Sequence, residues 1–292
     1  MIRIFALFLL AALTFPAFSC GDSNKDTGSP AGNTGPLTKD RRLNVEGLKH
    51  YRQGNFQVAL EKFREASQVN AKDAEYPNNM GMCHMRLGQA AKARALFAKA
   101  LSLRKLPLYH FNQGTALLQL RQVPAALASF NEAVKINSKY VDAWIQVGAI
   151  HFRNKNYGEA RKAWTAAAGI RDDARIQTNL GMIELREGKP GAAEKRFRGA
   201  LKLNAGYALA HYNLGVVLQN RKQYSPAEKA YMAAISLNPR AYVPYYNLAV
   251  TQTALGKKLS ARKSLEQFLR LVPPGMSGPI ADAKQRLRAL SK

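Results

Sequence analysis

Few side chains in this 292-residue sequence could do chemistry, and they are regularly placed. Five histidines (His50, His84, His110, His151 and His211) are candidate general bases or metal ligands, and two cysteines (Cys20 and Cys83) are candidate nucleophiles or acyl acceptors. Beside them runs a row of carboxamides: Asn79, Asn112, Gln146, Asn179, Asn213 and Asn247 follow Val45 at intervals of 33 or 34 residues. A carboxamide carries one acceptor and two donors, so it can grip a peptide backbone in both directions without reading its sequence. No glycine-rich phosphate loop stands at a strand-to-helix junction, and no segment alternates convincingly as a strand. Cys83 falls mid-helix and reads as a small buried hydrophobe. An enzyme is not expected, nor is a cofactor or a metal site.

The elements that must position these residues follow from a repeat. Glycines stand at 47, 81, 114, 148, 181 and 215, with Ala249 in register after them. Twelve residues after each comes an alanine (Ala59, Ala93, Ala126, Ala160, Ala193, Ala227, Ala261). Four further on is a bulky residue (Phe63, Phe97, Phe130, Trp164, Phe197, Tyr231, Leu265), and three beyond that Ala66, Ala100, Ala133, Ala167, Ala200 and Ala234, with Phe268 breaking the series. Spacings of four and three put these residues on one helix face. The small-large alternation predicts two helices pressed together, the alanines admitting a neighbour's aromatic.

A period near 34 with this grammar resembles the tetratricopeptide repeat, over residues 40 to 273. Tyr157, Tyr224 and Phe56 stand where that family has its inter-helix aromatic, and Trp144 supplies its early tryptophan. Gly54, Gly88, Gly188 and Gly256 are placed to end first helices, and Pro239 and Pro273 to stop second ones. The resemblance implies an all-α, right-handed α-solenoid of about seven helix pairs. Residues 274–292 are expected to form a C-terminal capping helix, with Ile280, Ala283, Leu287 and Leu290 at helical spacing. It also implies that first helices line a concave groove for a protein or peptide partner. Asn79, Asn112, Asn179, Asn213 and Asn247 would then form rungs about 8–10 Å apart, similar to the asparagine ladders that hold peptide backbone in O-GlcNAc transferases. Beside them would lie Phe111, Phe152, Tyr212 and Tyr246, with Met82, Met85 and Met182. The competing reading is that the asparagines brace neighbouring helices and the aromatics pack against them. The histidines occupy positions where the family has Tyr or Trp, which makes them packing residues; equivalents one repeat apart, at about 10 Å, are too distant to share zinc. No three successive repeats carry the Lys, Asn and Arg set of a carboxylate clamp.

The N-terminus reads as an address. Arg3 precedes an apolar run from Ile4 to Phe15, about 12 residues against the roughly 20 a membrane-spanning helix needs, so residues 1–19 are expected to be a secretory signal. Ser19-Cys20-Gly21 resembles the end of a bacterial lipobox, with Cys20 as the lipidated residue and membrane contact through that lipid. Ala17 and Phe18 depart from the usual pattern, and ordinary signal-peptidase cleavage before Cys20 is the alternative. Gly21 after the cysteine points to the outer membrane rather than the inner. Residues 20–39 read as a polar tether with a reach of about 25 Å. Lipid, tether and repeat number together resemble the pilotin lipoproteins of type IV pilus systems, which implies an envelope scaffold, for example in pilus or secretin assembly.

The formal net charge is +25, and residues 41–292 hold all of it, as 41 basic against 16 acidic residues. No tail concentrates this charge, so nucleic acid is not the expected partner. A second reading is a basic surface module for an anionic polymer or membrane surface, through Lys62, Lys162, Lys195, Lys229 and Lys263 on the second helices.

Overall fold

The computed structural model describes residues 36–290. The expected signal, Cys20 and most of the tether lie outside the described residues. Those described form fifteen helices: α1 (Lys39–Arg52), α2 (Phe56–Val69), α3 (Glu75–Arg86), α4 (Ala90–Leu103), α5 (Pro107–Gln119), α6 (Val123–Ile136), α7 (Val141–Arg153), α8 (Tyr157–Ile170), α9 (Ala174–Arg186), α10 (Pro190–Leu203), α11 (Ala208–Asn220), α12 (Tyr224–Leu237), α13 (Tyr242–Ala254), α14 (Lys258–Leu271) and α15 (Ser277–Leu290). Two helices per period and a final helix make this the all-α solenoid fold that the repeat implies.

The chain divides into two compact units, one ending at Val147 and the other beginning at Gly148, within α7. In the first, α1 packs on α2, α3 on α4 and α5 on α6, with α2 on α3 and α4 on α5 joining successive pairs. In the second, the pairs are α9 with α10, α11 with α12 and α13 with α14, and α15 closes against α14. Ala283 of α15 is buried in one cluster with Ala249, Leu265 and Phe268, and Ile280, Leu287 and Leu290 pack around them. That is the capping role expected of this segment.

The small-large grammar works through the glycines as well as the alanines. A Cβ on Gly47 would stand 2.5 Å from the Phe63 ring, on Gly81 2.6 Å from Phe97, and on Gly215 2.6 Å from Tyr231. Every first helix but α13 therefore offers bare backbone as a socket for the ring sixteen residues later, on its own partner helix. The alanines of the second helices, all fully buried, permit the close approach, and Ala100 and Ala133 cluster with aromatics of the following repeat, Tyr109 and Tyr140.

First helices end alike. The residue three past each end donates its N–H back around the turn, as Asn55 does to the His50 carbonyl (2.9 Å) and Lys257 to that of Gln252 (2.9 Å), the geometry of a Schellman cap. Gly54, Gly88, Gly188 and Gly256 take the positive φ this needs, and Arg121, Lys155 and Lys222 take it without being glycine. The glycine signal therefore located four of the seven caps.

At the start of the first unit Asp40 is buried and accepts hydrogen bonds from Thr38 Oγ1 (2.5 Å), Tyr76 Oη (2.7 Å) and Asn70 Nδ2 (3.2 Å). The bond from Thr38 does most to lower its pKa from 3.8 to about 2, burial opposing it and Tyr76 and Asn70 adding to it. Because the folded value is depressed, the stability this carboxylate contributes is complete above about pH 4 and is lost as pH falls through 2. In acid titrations followed by helical circular dichroism, the stability gap between the wild type and Asp40→Asn should close over that window. A gap independent of pH would show that the charge of Asp40 contributes nothing.

Candidate ligand-binding face

In the first unit the carboxamides join into one relay. Asn112 Nδ2 donates to Asn78 Oδ1 (2.8 Å), Asn78 Nδ2 to Asn79 Oδ1 (3.3 Å), Asn79 Nδ2 to Asn44 Oδ1 (2.9 Å) and Asn44 Nδ2 to Glu75 Oε1 (2.8 Å). Arg41 grips the other Glu75 oxygen at 3.0 Å and Asp73 at 2.9 Å. The relay links α5, α3 and α1, and its four asparagines are all buried. Buried donors and acceptors in series satisfy and polarise one another. Asn79 and Asn112, expected to face a ligand, therefore brace first helices. Phe111 likewise packs on Phe130 and Tyr140, at 5.5 Å between ring centroids in each case.

The second unit treats its asparagines differently. Asn213 is 1% exposed and donates to the Leu209 carbonyl of its own helix at 2.9 Å. Asn247 donates to Tyr212 Oη at 3.1 Å. Tyr212 lies 6.0 Å from the Tyr231 ring, and burial pushes its hydroxyl up to about 12, so it stays protonated and can donate. Phe152 packs between Tyr157 (5.3 Å) and Trp164 (5.6 Å). Tyr246 lies 5.3 Å from Phe268, and its hydroxyl donates to Asp282 of α15, whose carboxylate also binds Arg286 at 2.7 Å. Tyr246 is thus part of the seat of the capping helix rather than open groove.

Asn179 remains. It is half-buried, and among the described residues its side chain makes no hydrogen bond. It lies between Arg175 and Met182 on α9, at positions i, i+4 and i+7, so the three form one stripe. Both flanking side chains are half-buried; Arg175 is held by Asp173 at 2.8 Å, and Met182 lies against the cluster of Ala193, Phe197 and Val217. Burial lowers the pKa of His110, while His84 and His211 bond to Gln89 Oε1 and the Ala205 carbonyl. The histidines stand in separate repeats, and among the described residues no group of three His, Cys, Asp or Glu side chains comes together.

A set of buried carboxylates escaped the sequence. Glu194 meets Arg198 and Arg221, Glu228 meets Lys257 (2.6 Å) and Gln252 (3.3 Å), and Glu184 meets Arg196 (3.2 Å). The legible signal was an Ala-Glu pair at 193–194 and 227–228, where the glutamate directly follows the buried alanine of a second helix.

Tetratricopeptide repeat models match residues 44–108, 111–175 and 208–240, more than half of the sequence. The chain belongs to the tetratricopeptide repeat family, whose members are generally non-catalytic scaffolds suited to protein–protein interaction. Among curated relatives it is similar to BBSome complex member BBS4 of Bos taurus, at 26% identity over 37% of this chain and 21% of that one. It is also similar to cellulose synthase 1 operon protein C of Komagataeibacter xylinus, at 34% over 23% of this chain and 5% of that one. The chain spans at most about a fifth of the length of these relatives. Among solved structures, a tetratricopeptide repeat protein from Parabacteroides merdae aligns with TM-score 0.65 and 14% identity over 87% of this chain and 99% of that one. PilF of Pseudomonas aeruginosa aligns with TM-score 0.64 and 18% identity over 75% and 98% respectively. At these identities the likeness is one of fold.

Proposed function

We propose that this protein is a non-enzymatic, extracytoplasmic scaffold that holds a peptide segment of a protein partner on the first-helix face of its second unit. Residues 1–19 export it, and a lipid on Cys20 anchors it to a bacterial membrane, the outer membrane facing the periplasm. Its role is the assembly of an envelope complex, for example in pilus or secretin biogenesis, in keeping with the pilotin-like arrangement of lipid, tether and repeats. The observation that carries the binding reading is Asn179. Its carboxamide is half-accessible and unpaired, whereas Asn79, Asn112, Asn213 and Asn247 have their donors engaged within the fold. An unpaired amide beside the apolar Met182 offers a peptide one backbone contact and one side-chain contact.

A photocrosslinking residue placed at Asn179 or Met182 in the intact envelope should capture a discrete partner protein. The same residue at Met232, on the exposed side of α12, should not. Equal capture from all three positions would remove the groove from the proposal. The anchor is tested separately: Cys20→Ala should release the protein from membranes, and continued sedimentation with them would refute lipidation.

A further inference from the structure

The five lysines that recur on second helices are not equivalent. Lys62 is paired with Glu46 and Glu65, and Lys162 with Glu159, whereas Lys195, Lys229 and Lys263 are exposed and have no ion pair among the described residues. Lys195 borders a cavity. That cavity, about 730 Å³ and open to solvent, lies between α10 and the turn after α11, and its lining includes Lys195, Arg198, Lys202, Arg221, Glu194 and Gly199.

Its chemistry is cationic by construction. Lys195, Arg198 and Lys202 fall at i, i+3 and i+7 on α10, one face of the helix, with the two lysines about 10 Å apart along the axis. Arg221 enters from the following repeat. The single carboxylate, Glu194, is buried and takes Arg198 on one oxygen and Arg221 on the other, which fixes both guanidinium groups at the cavity wall. Four cations against one anion leave three positive charges. Lys202 joins Lys195 in having no ion-pair partner among the described residues. The wall also lacks a side chain where the other second helices have one. Gly199 stands in register with Glu65, Lys99, Glu132, Ala166, Ala233 and Gln267, and a Cβ there would meet nothing within 4 Å. A glycine inside a helix costs helix stability relative to alanine, and here no packing partner requires it. Its effect is room.

We propose that this cavity binds a phosphate group, carried either by a lipid headgroup or by a soluble phosphate ester. A tetrahedral, multiply charged oxyanion can meet cations converging from two repeats at once. A planar carboxylate of an acidic peptide is served by one guanidinium fork, and both guanidinium groups here already give a nitrogen to Glu194.

The test uses the full chain with Cys20→Ala, which takes no lipid, and two probes: inorganic pyrophosphate by titration calorimetry, and phosphatidylglycerol vesicles diluted with phosphatidylcholine by co-sedimentation. Pyrophosphate binding should weaken as salt is added, and Lys195→Gln/Lys202→Gln should reduce it by about tenfold, as expected for the loss of two charge-assisted contacts. Lys229→Gln/Lys263→Gln removes the same charge elsewhere and should leave it nearly unchanged. Gly199→Gln should abolish binding while keeping or raising thermal stability, so a loss of binding cannot be ascribed to misfolding. Vesicle binding that fails in the same variants identifies the source as a headgroup; pyrophosphate binding without vesicle binding identifies a soluble ester. Equal loss in the two double variants, tighter binding of polyglutamate than of pyrophosphate, or no binding of either phosphate probe would overturn the proposal.

Discussion

Truncating Trp164 to alanine should destabilise the second unit by about 3–5 kcal/mol, the range for deleting a large aromatic from a packed core. The indole is 1% exposed, is stacked by Phe152 at 5.6 Å, and fills the bare backbone of Gly148. At Gly148 the first helix has no side chain of its own to refill that space. Urea unfolding followed by helical circular dichroism should show the loss. Trp144, the other tryptophan, belongs to the first unit and donates its indole N–H to the Ser138 carbonyl at 2.8 Å. Its fluorescence in the variant reports whether the first unit stays folded. A change below about 1 kcal/mol, the scale of an ordinary surface substitution, would contradict the packing described.

The partner substitution carries the second large effect, and its sign is the informative part. Glycine to alanine inside an exposed helix ordinarily gains about 1 kcal/mol. At Gly148 the added Cβ would stand 2.3 Å from Trp164 Nε1 and 2.5 Å from its Cδ1, so the buried ring must shift. Overpacking of this kind costs about 1–3 kcal/mol, so Gly148→Ala should destabilise. The seventh repeat already contains the compensated pair: Ala249 stands in the glycine register and Leu265 in the aromatic one, both 1% exposed in one cluster. Adding Trp164→Leu to Gly148→Ala should therefore recover much of the loss that either change causes alone. Additivity of the two single effects in a double-mutant cycle would show that the residues do not share a contact.

The repeat was legible because each period is the same local problem solved again. A glycine, an alanine and a ring at fixed offsets describe one helix pair, and nothing distant alters that description. Helix ends followed in part: four caps carry glycine, while Arg121, Lys155 and Lys222 adopt positive φ because the turn demands it, with no signature in the residue type. The site was harder. The row of Asn79, Asn112, Asn179, Asn213 and Asn247 was visible as spacing, but spacing is silent on where an amide finds its partner. Asn78, one position off the row, intercepts Asn112 and donates to Asn79, turning candidate contacts into a brace. Phe111, Phe152, Tyr212 and Tyr246 likewise lie against rings of other helices.

From the sequence alone came the family, the helix pairs, the closing helix and the sign of the net charge, because helical periodicity and composition are local or additive properties. The tertiary structure alone decided which polar groups are left over. Asn179 is open and its counterparts are not; Lys195 and Lys202 border a cavity while Lys62 and Lys162 are neutralised. A side chain's availability depends on whether a partner reaches it within about 3 Å. Helix stacking decides that for Asn79, Asn112 and Asn247, and a neighbour on the same helix decides it for Asn213 and Lys162.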